Sequence, residues 1–469
     1  MRSKKFAPHT LKKRGNNNMA TDKYMQEIFD RIDDGKEIIL NAERSVWKTP
    51  ELGFREWKTH AFLKGEYEKL GYTVNEFKDI PGFYVDIETG RKGPKIAVFG
   101  ELDAICVPSH KDSDKVTGAV HACGHNGQSA ALLGVAIALT DKSALSRLSG
   151  SVRLIAVPAE EVQAADFIEE MKKKGVLRAA NGKTELMKRG YLDDVDMAFM
   201  IHVGGKGFSN NLGWCGSIDK RFTFKGKAVH VASPFNGNNA LYAATSAITA
   251  VNNLRETFSV KNLMRFSSVI LEGGAAVNQI PDKIVVQAMV RALTFESLVK
   301  LNDKVNRAFA AAAASMGCRL EIEDTFGCHP RIDNAELINA FYDTAKEIFP
   351  EDLLSRDTPA GAGITDFGAV SAIMPCAHPF IGGAEGANHT SEFKIADPYM
   401  LCVNSAKVQA GTIYLLLKDD AARAKEIIKN NVPPFKSAKE YFAATEKYSF
   451  NGEAVIYNED ETVTLKYKN

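Results

Sequence analysis

The sequence lacks the features that would attach it to nucleic acid or to a membrane. Its 59 Lys and Arg residues are balanced by 58 Asp and Glu residues, so the net charge of +1 creates no field that would hold a polyanion. No run reaches the roughly 18 to 20 apolar residues of a membrane span, and the N-terminus has no apolar core of a secretory signal. We therefore expect no nucleic-acid partner, no membrane partner and a cytoplasmic location.

The sequence also lacks the cysteine pattern of a disulfide framework. Its seven cysteines are odd in number and have no paired spacing, which suits a reducing compartment. A cysteine with a special task is then expected to bind a metal or to act in catalysis. Apolar residues (45%) and charged residues (25%) are present in ordinary amounts, and 469 residues predict a folded protein of two or three domains.

Short apolar runs without alternation predict a mostly parallel α/β sheet. Residues 95–100, 152–157 and 197–201 read as strands that are buried on both faces, and the stretches 129–139 and 167–174 between them have helical character. Upstream, residues 24–75 predict two helices around a turn. The fold class is therefore α/β, with a mostly parallel mixed sheet and helices on both of its faces.

The pattern of elements changes near Gly216. From there the predicted order is strand, helix, strand, strand, helix and strand, which is the βαββαβ order of a ferredoxin-like α+β unit. We predict a disordered basic tail (1–20), a catalytic domain in two pieces (21–216 and 329–420), the inserted unit (217–328), and a C-terminal extension (421–469) that ends in a hairpin.

Chemically active side chains follow the predicted strands. Ligands of parallel sheets bind outside the carboxyl ends of the strands, and these positions are rich in acids and histidines. Thiolate, imidazole and carboxylate groups are the ligands that borderline divalent ions prefer, and five of them exceed one tetrahedral site. We therefore predict two divalent ions (Zn, Mn or Co), bridged by Cys123 or by a water, whose ligands are one Cys, one Glu and three His side chains.

Six short motifs carry a family resemblance. They are PELGFRE (50–56), HACGH (121–125), PAEE (158–161), GKAVH (226–230), NQIPD (278–282) and TDFG (365–368). In this order they resemble the aminoacylase and glutamate carboxypeptidase family of metallopeptidases. The branch most similar is that of the hippurate, auxin-conjugate and p-aminobenzoyl-glutamate hydrolases. The resemblance implies a two-metal catalytic domain and an inserted lid that mediates dimerisation.

The resemblance also implies roles for individual residues. The metal ligands would be these five: Cys123, His125, Glu161, His202 and His389. Glu160 would be the general base, and Asp103 would orient a metal ligand. His230 in the lid would stabilise the oxyanion in the site of the other protomer, while Asn278 and Arg291 would bind substrate. One departure is that many members read Cys-Gly-His-Asp-x-His, whereas this chain has Asn126 and Gln128. That variation is similar to one of the two chains of aminobenzoyl-glutamate hydrolase and to related dipeptidases.

The expected function is a metal-dependent amidohydrolase of N-acyl or N-aminoacyl amino acids, in which a metal-activated water attacks the amide and Glu160 is the base. One alternative is a dipeptidase acting on small or basic dipeptides. Another is a catalytically silent regulatory or scaffold subunit on the same fold. A nucleophilic thiol pair at Cys123 would leave Glu161, His202 and His389 without a task.

A homodimer through the lid is expected, with hetero-assembly with a related subunit as the alternative.

Overall fold

A computed structural model describes residues 22–468. Its helices are α1 Lys23–Asp34, α2 Lys36–Lys48, α3 Trp57–Lys69, α4 His125–Ala138, α5 Lys142–Leu145, α6 Ala165–Lys173, α7 Gly182–Lys188, α8 Ala240–Asn253, α9 Phe295–Ser315, α10 Ala335–Ala345, α11 Phe367–Ser371, α12 Ser405–Asn430 and α13 Ala438–Glu446. Its strands are β1 Asn75–Glu76, β2 Phe83–Glu88, β3 Lys95–Glu101, β4 Ile105–Cys106, β5 Ala119–Val120, β6 Ser151–Val157, β7 Met197–Phe199, β8 His202–Val203, β9 Phe208–Asn211, β10 Gly216–Lys225, β11 Val229–His230, β12 Arg265–Glu272, β13 Gln279–Ile280, β14 Lys283–Ala292, β15 Arg319–Cys328, β16 Leu354–Thr358, β17 Cys376–Ala377, β18 Phe380–Ile381, β19 Ala384–Glu385, β20 Lys394–Ile395, β21 Asn451–Glu453, β22 Val455–Tyr457 and β23 Val463–Leu465.

The main sheet has the strand order β1-β2-β6-β3-β7-β17. The four strands from β6 to β17 are parallel, and β2 joins β6 antiparallel at one side. Every residue of β6 is buried, as is every residue of β3 except Lys95, because helices and neighbouring strands cover them. The predicted α/β class with a mostly parallel sheet is confirmed.

Helix α4 packs against β3, and every one of its residues is buried. The helix approaches the strand at Gly100, where a Cβ atom would lie 3.1 Å from the Cβ of Leu132. It begins at His125 directly after Gly124, whose φ of +79° is a left-handed conformation that glycine adopts easily. This tight turn brings Cys123 and His125 to the carboxyl end of the sheet.

One helix prediction needs correction. Residues 24–75 form three helices rather than two, because the chain breaks at Gly35, where the α1 helix ends and α2 begins. The apolar spacing continues across this break and therefore conceals it. Helix α12 is interrupted as well, because its φ and ψ angles are non-helical from Lys418 to Ala421 and divide it into two helical segments.

The segment Tyr399–Asn430, which includes a π-helical turn before α12, is long and apolar enough to cross a membrane. Of its most apolar stretch, 83% is buried inside the protein. Its apolar side chains are thus already covered by other parts of the fold, as in a core helix.

The predicted βαββαβ unit is present as β10, α8, β12, β14, α9 and β15, and we call it the lid. Its antiparallel sheet has the order β12-β14-β10-β15-β21, and it has a hydrophobic core of its own. The fifth strand, β21, comes from the C-terminal extension, which ends in the predicted hairpin β22–β23. The domain boundaries stay predictions, and the proposed tail (1–20) lies outside the described residues.

Candidate metal centre and active site

The candidate ligands meet because neighbouring parallel strands end at one edge of the sheet. Glu101 ends β3 and Asp103 follows it, Glu160 and Glu161 follow β6, and His202 begins β8 just after β7. His389 comes from the loop between β19 and β20. Its φ is +64°, an uncommon backbone conformation for a residue other than glycine.

Five side chains form two groups that share one thiol. Ligand atoms of Cys123, His125 and His202 lie within 4.8 Å of one another, and so do those of Cys123, Glu161 and His389. The Cys123 Sγ atom is 3.4 Å from His202 Nε2 and 3.3 Å from His389 Nε2. Glu161 Oε1 is 3.0 Å from His389 Nε2. Only His389 of the five is exposed.

Hydrogen bonds fix which edge of each imidazole faces the cluster. His125 donates from Nδ1 to the Asp103 carbonyl at 3.0 Å and lies 3.1 Å from its Oδ1 atom. His202 donates from Nδ1 to the Val203 carbonyl at 2.8 Å. The Nε2 atoms of both rings are then unprotonated in the neutral tautomer. Asp103 also accepts from the Glu161 backbone N–H at 2.9 Å, so this buried carboxylate supports both groups.

Several buried atoms of the cluster lack a hydrogen-bond partner among the described residues. These atoms are Glu101 Oε2, His125 Nε2 and Glu161 Oε1. Buried polar atoms are almost always paired, so three unpaired acceptors around one thiol are unusual. A thiol, imidazoles and carboxylates together are the donor set of borderline divalent cations, and the residues present therefore fit such ions.

Glu160 occupies a different position from its neighbour Glu161. Its carboxyl group lies within 4.8 Å of ligand atoms of Glu101 and His125, and its side chain is partly exposed. Burial of this carboxyl group, and then the charges of Glu101 and Glu161, raise the pKa of Glu160 well above its ordinary value. The two neighbouring acids thus point to different partners, as the predicted division of roles requires.

The turn before Glu160 is held by the PELGFRE motif. Ala159 has a φ of +51°, and its backbone N–H donates to Glu56 Oε1 at 2.7 Å. Glu56 is fully buried, and burial followed by the charge of Asp103 raises its pKa well above the ordinary value. The motif therefore has a structural task, which is to support the turn that carries the two acids.

A buried lysine next to the site was not predicted. Lys183, at the start of α7, places Nζ 2.6 Å from Glu101 Oε1 and 2.5 Å from Asp366 Oδ1. Burial alone would lower the pKa of Lys183, but the charges of Asp366 and Glu101 hold it above its ordinary value. Burial alone would raise the pKa of Glu101, but Lys183 and the histidines His125 and His202 lower it.

Asn126, which stands where many family members have Asp, connects α4 to α2. Asn126 is fully buried and donates from Nδ2 to Glu43 Oε1 on α2 at 2.7 Å. Gln128 is also buried, and neither of its polar side-chain atoms has a partner among residues 22–468. The substitution at Asn126 therefore changes a helix-to-helix contact.

The structure places the predicted lid residues apart from the five ligand candidates. His230 is exposed at the end of β11 and accepts from the Ala232 N–H through Nδ1 at 3.1 Å. Asn278 is exposed nearby, and Arg291 on β14 donates to the Ala362 carbonyl at 3.4 Å. Within the described chain, no hydrogen bond or ion pair joins them to the candidate ligands, and their roles stay predictions.

Comparison with known proteins gives the class of the protein. Residues 97–410 match the peptidase family M20/M25/M40, and the chain belongs to that family. It is thus a hydrolase of amide or peptide bonds, and the family resemblance predicted from the six motifs is confirmed.

The individual relatives have low sequence identity to this chain. The chain is 28% identical to a Xaa-Arg dipeptidase of Mus musculus over 409 residues, which is 82% of this chain and 84% of the relative. It is also 28% identical to one of the subunits of the p-aminobenzoyl-glutamate hydrolase of Escherichia coli (strain K12), over 68% of this chain and 65% of that protein. A crystal structure described as a dinuclear metal binding peptidase of Bacillus subtilis matches with a TM-score of 0.63 at 21% identity, covering 84% of this chain and 99% of the other.

Proposed function

We propose that this protein is a dinuclear metal-dependent amidohydrolase that cleaves the amide between an acyl or aminoacyl group and a small amino acid with a free carboxylate. The observation that carries the proposal is the Cys123 thiol, which belongs to two separate groups of three donors beside the partly exposed Glu160. The names of the two relatives agree with this substrate class, because aminobenzoyl-glutamate and an Xaa-Arg dipeptide are both amides of an amino acid.

Each donor group would hold one divalent ion. Cys123, His125 and His202 would hold the first ion, and Cys123, Glu161 and His389 would hold the second, so both groups would use the Cys123 thiolate. Zn, Mn or Co suits this mixture of soft and harder ligands better than Mg or Ca. When bound, the ions supply Lewis acidity, which lowers the pKa of a water molecule toward neutrality and polarises the amide carbonyl.

The chain's own side chains would move the protons and orient the ligands. Glu160 would accept the proton of the attacking water and then deliver it to the departing amine. The buried Glu161 would stay with His389. Asp103 would hold His125 in the tautomer that leaves Nε2 free for an ion.

A twofold dimer through the lid would complete the site. Strand β12 pairs only with β14 among the described strands, and its Val269 and Leu271 side chains are exposed by 54% and 49%. The opposite edge, β15, is covered by β21. A free edge with apolar side chains favours pairing with a second copy or with a related subunit. In a homodimer, His230 would stabilise the oxyanion in the site of the other protomer, and Asn278 and Arg291 would contact the substrate.

The test combines metal analysis with a substrate panel. Protein purified without chelator is expected to contain two divalent ions per chain, and removing them should abolish the release of free amine from N-acyl amino acids. Aminobenzoyl-glutamate and other N-acyl amino acids should be compared with Xaa-Arg and small dipeptides. If only the dipeptides are cleaved, the second candidate, a dipeptidase, is correct. If no amide is cleaved by the metal-loaded protein, the scaffold alternative replaces both.

A further inference from the structure

Lys183 is a buried cation among carboxylates that the proposed reaction does not use. Its side chain has no exposed surface, and its ammonium group lies between Glu101 and Asp366, whose side chains are each 1% exposed. Burying an ammonium group costs much free energy unless the group is paired and hydrogen-bonded. The buried ammonium group of Lys183 is therefore stable only because the two neighbouring carboxylates compensate for its charge.

Glu101 connects this lysine to the metal centre. One carboxylate oxygen, Oε1, is 2.6 Å from Lys183 Nζ, and the other, Oε2, is 3.1 Å from His125 Nε2 without a hydrogen bond between them. His125 is held from its other side by Asp103. The imidazole is thus fixed at its Nδ1 edge, and its Nε2 edge faces the Glu101 carboxylate, which Lys183 holds in place.

The backbone around Lys183 also supports the turn that carries Glu160. The Gly182 N–H donates to the Ala159 carbonyl at 2.8 Å, and the Lys183 N–H donates to Asp366 Oδ2 at 2.8 Å. A Cβ atom at Gly182 would lie 1.7 Å from the Pro158 carbonyl oxygen, so only glycine allows this close approach. The start of α7 is therefore packed directly against the strand end that precedes Glu160.

We propose that Lys183 is a positioning residue for amide hydrolysis. It holds the Glu101 carboxylate beside the ion-binding Nε2 atom of His125, and through Asp366 it keeps α7 against the Pro158–Ala159 backbone. This inference rests on the proposed function, in which His125 binds an ion and Glu160 is the base. Lys183 itself has no contact with substrate in this scheme, and Glu101, which joins it to His125, acts together with it.

The chain offers a matched control in a second buried lysine. Lys220 in the lid is likewise unexposed, and its Nζ is 2.5 Å from Asp324 Oδ1. Lys183→Met and Lys220→Met each remove a buried ammonium group, so both should lower the melting temperature. Lys183→Met leaves two carboxylates behind and Lys220→Met leaves one. Only Lys183→Met should weaken the binding of one of the two ions, by about 10-fold to 100-fold, as expected for loss of an outer partner of a metal ligand.

Zn²⁺ binding to the ion-free full-length variants should be titrated against a chromophoric chelator, and kcat and KM should be measured on the metal-loaded proteins. We expect Lys183→Met to lower kcat with little change in KM and Lys220→Met to resemble the parent in both. If the two variants bind Zn²⁺ equally and lose kcat equally, Lys183 has only a general structural role and the inference is overturned.

Glu101→Gln keeps the inference testable if Lys183→Met does not fold, because Lys183 remains paired with Asp366 in that variant. We expect the same selective loss of one ion, and the double variant should be no worse than either single one. Parent-like Zn²⁺ binding by Glu101→Gln would overturn the inference. Other results would contradict the proposed function itself. In that case the parent protein would bind no pair of ions, or Glu160→Gln would stay active.

Discussion

Replacing Cys123 with alanine should remove both metal ions, whereas replacing either flanking histidine should remove only one. The Cys123 Sγ atom is 3.4 Å from His202 Nε2 and 3.3 Å from His389 Nε2, and it is one of three donors in each group. His202→Ala leaves Cys123, Glu161 and His389 intact, and His389→Ala leaves the other group intact. Loss of a direct ligand should exceed the roughly 10-fold to 100-fold cost of losing an outer partner.

The assay is elemental analysis after gel filtration, followed by stepwise Zn²⁺ titration of the ion-free protein in competition with a chelator. His329→Ala is a suitable control, because His329 is also a buried histidine but belongs to neither donor group. It should keep both ions. If Cys123→Ala retained one ion at parent affinity, or if His202→Ala lost both, the idea of a shared thiolate would be wrong.

The remaining predictions concern the base, the dimer, the substrate and the C-terminal extension. Glu160→Gln should keep both ions and lose at least about 100-fold in kcat, while Glu161→Gln should lose an ion; the opposite result would exchange their roles. Inactive His230→Ala mixed with inactive Glu160→Gln should regain part of the activity through hybrid dimers, and no recovery despite verified subunit exchange would contradict action across the dimer. Amidating the substrate's carboxylate should lower kcat/KM by up to about 10⁴-fold, and equal cleavage of both forms would exclude carboxylate recognition. Tyr441→Ala should cost about 3 to 5 kcal/mol in the free energy of unfolding, because this 1% exposed ring contacts Phe326 and Phe435; urea unfolding measures it, and an unchanged midpoint would show that the extension is not part of the cooperative fold.

The parts of the fold that could be predicted are those whose pattern is long and local. Strands β3 and β6 are seven residues each and mostly apolar in their centres, where Arg153 of β6 is the one charged residue, so they are recognisable without any partner. Strands β8 and β18 have two residues each and exist only because they pair with each other and because β18 also pairs with β9. No local pattern marks such pieces, and the small sheet that carries His202 was therefore not predicted.

The same difference separates the predicted and the missed parts of the site. Four of the five candidate ligands could be found because they follow buried strands or stand in the HACGH motif, whereas His389 lies in an exposed loop. Lys183 is 82 residues from Glu101 and 183 residues from Asp366 along the chain. Because lysine is usually a surface residue, nothing in its neighbourhood indicates that it is buried. Only the three-dimensional arrangement identifies it as part of the site.

The buried carboxylates at the edge of the sheet favour the binding of metal ions. Glu101, Asp103, Glu161 and Asp366 are all buried at one edge of the sheet, and Lys183 is the one Lys or Arg side chain in the described chain that forms an ion pair with any of them. This leaves an excess of buried negative charge, which is costly unless cations bind. Ions that bind the folded chain more tightly than the unfolded chain stabilise the fold. The same excess would repel a substrate carboxylate, so the proposed binding of such a substrate would need both the ions and a cation outside the cluster. The predicted cation is Arg291, which lies on the lid strand β14.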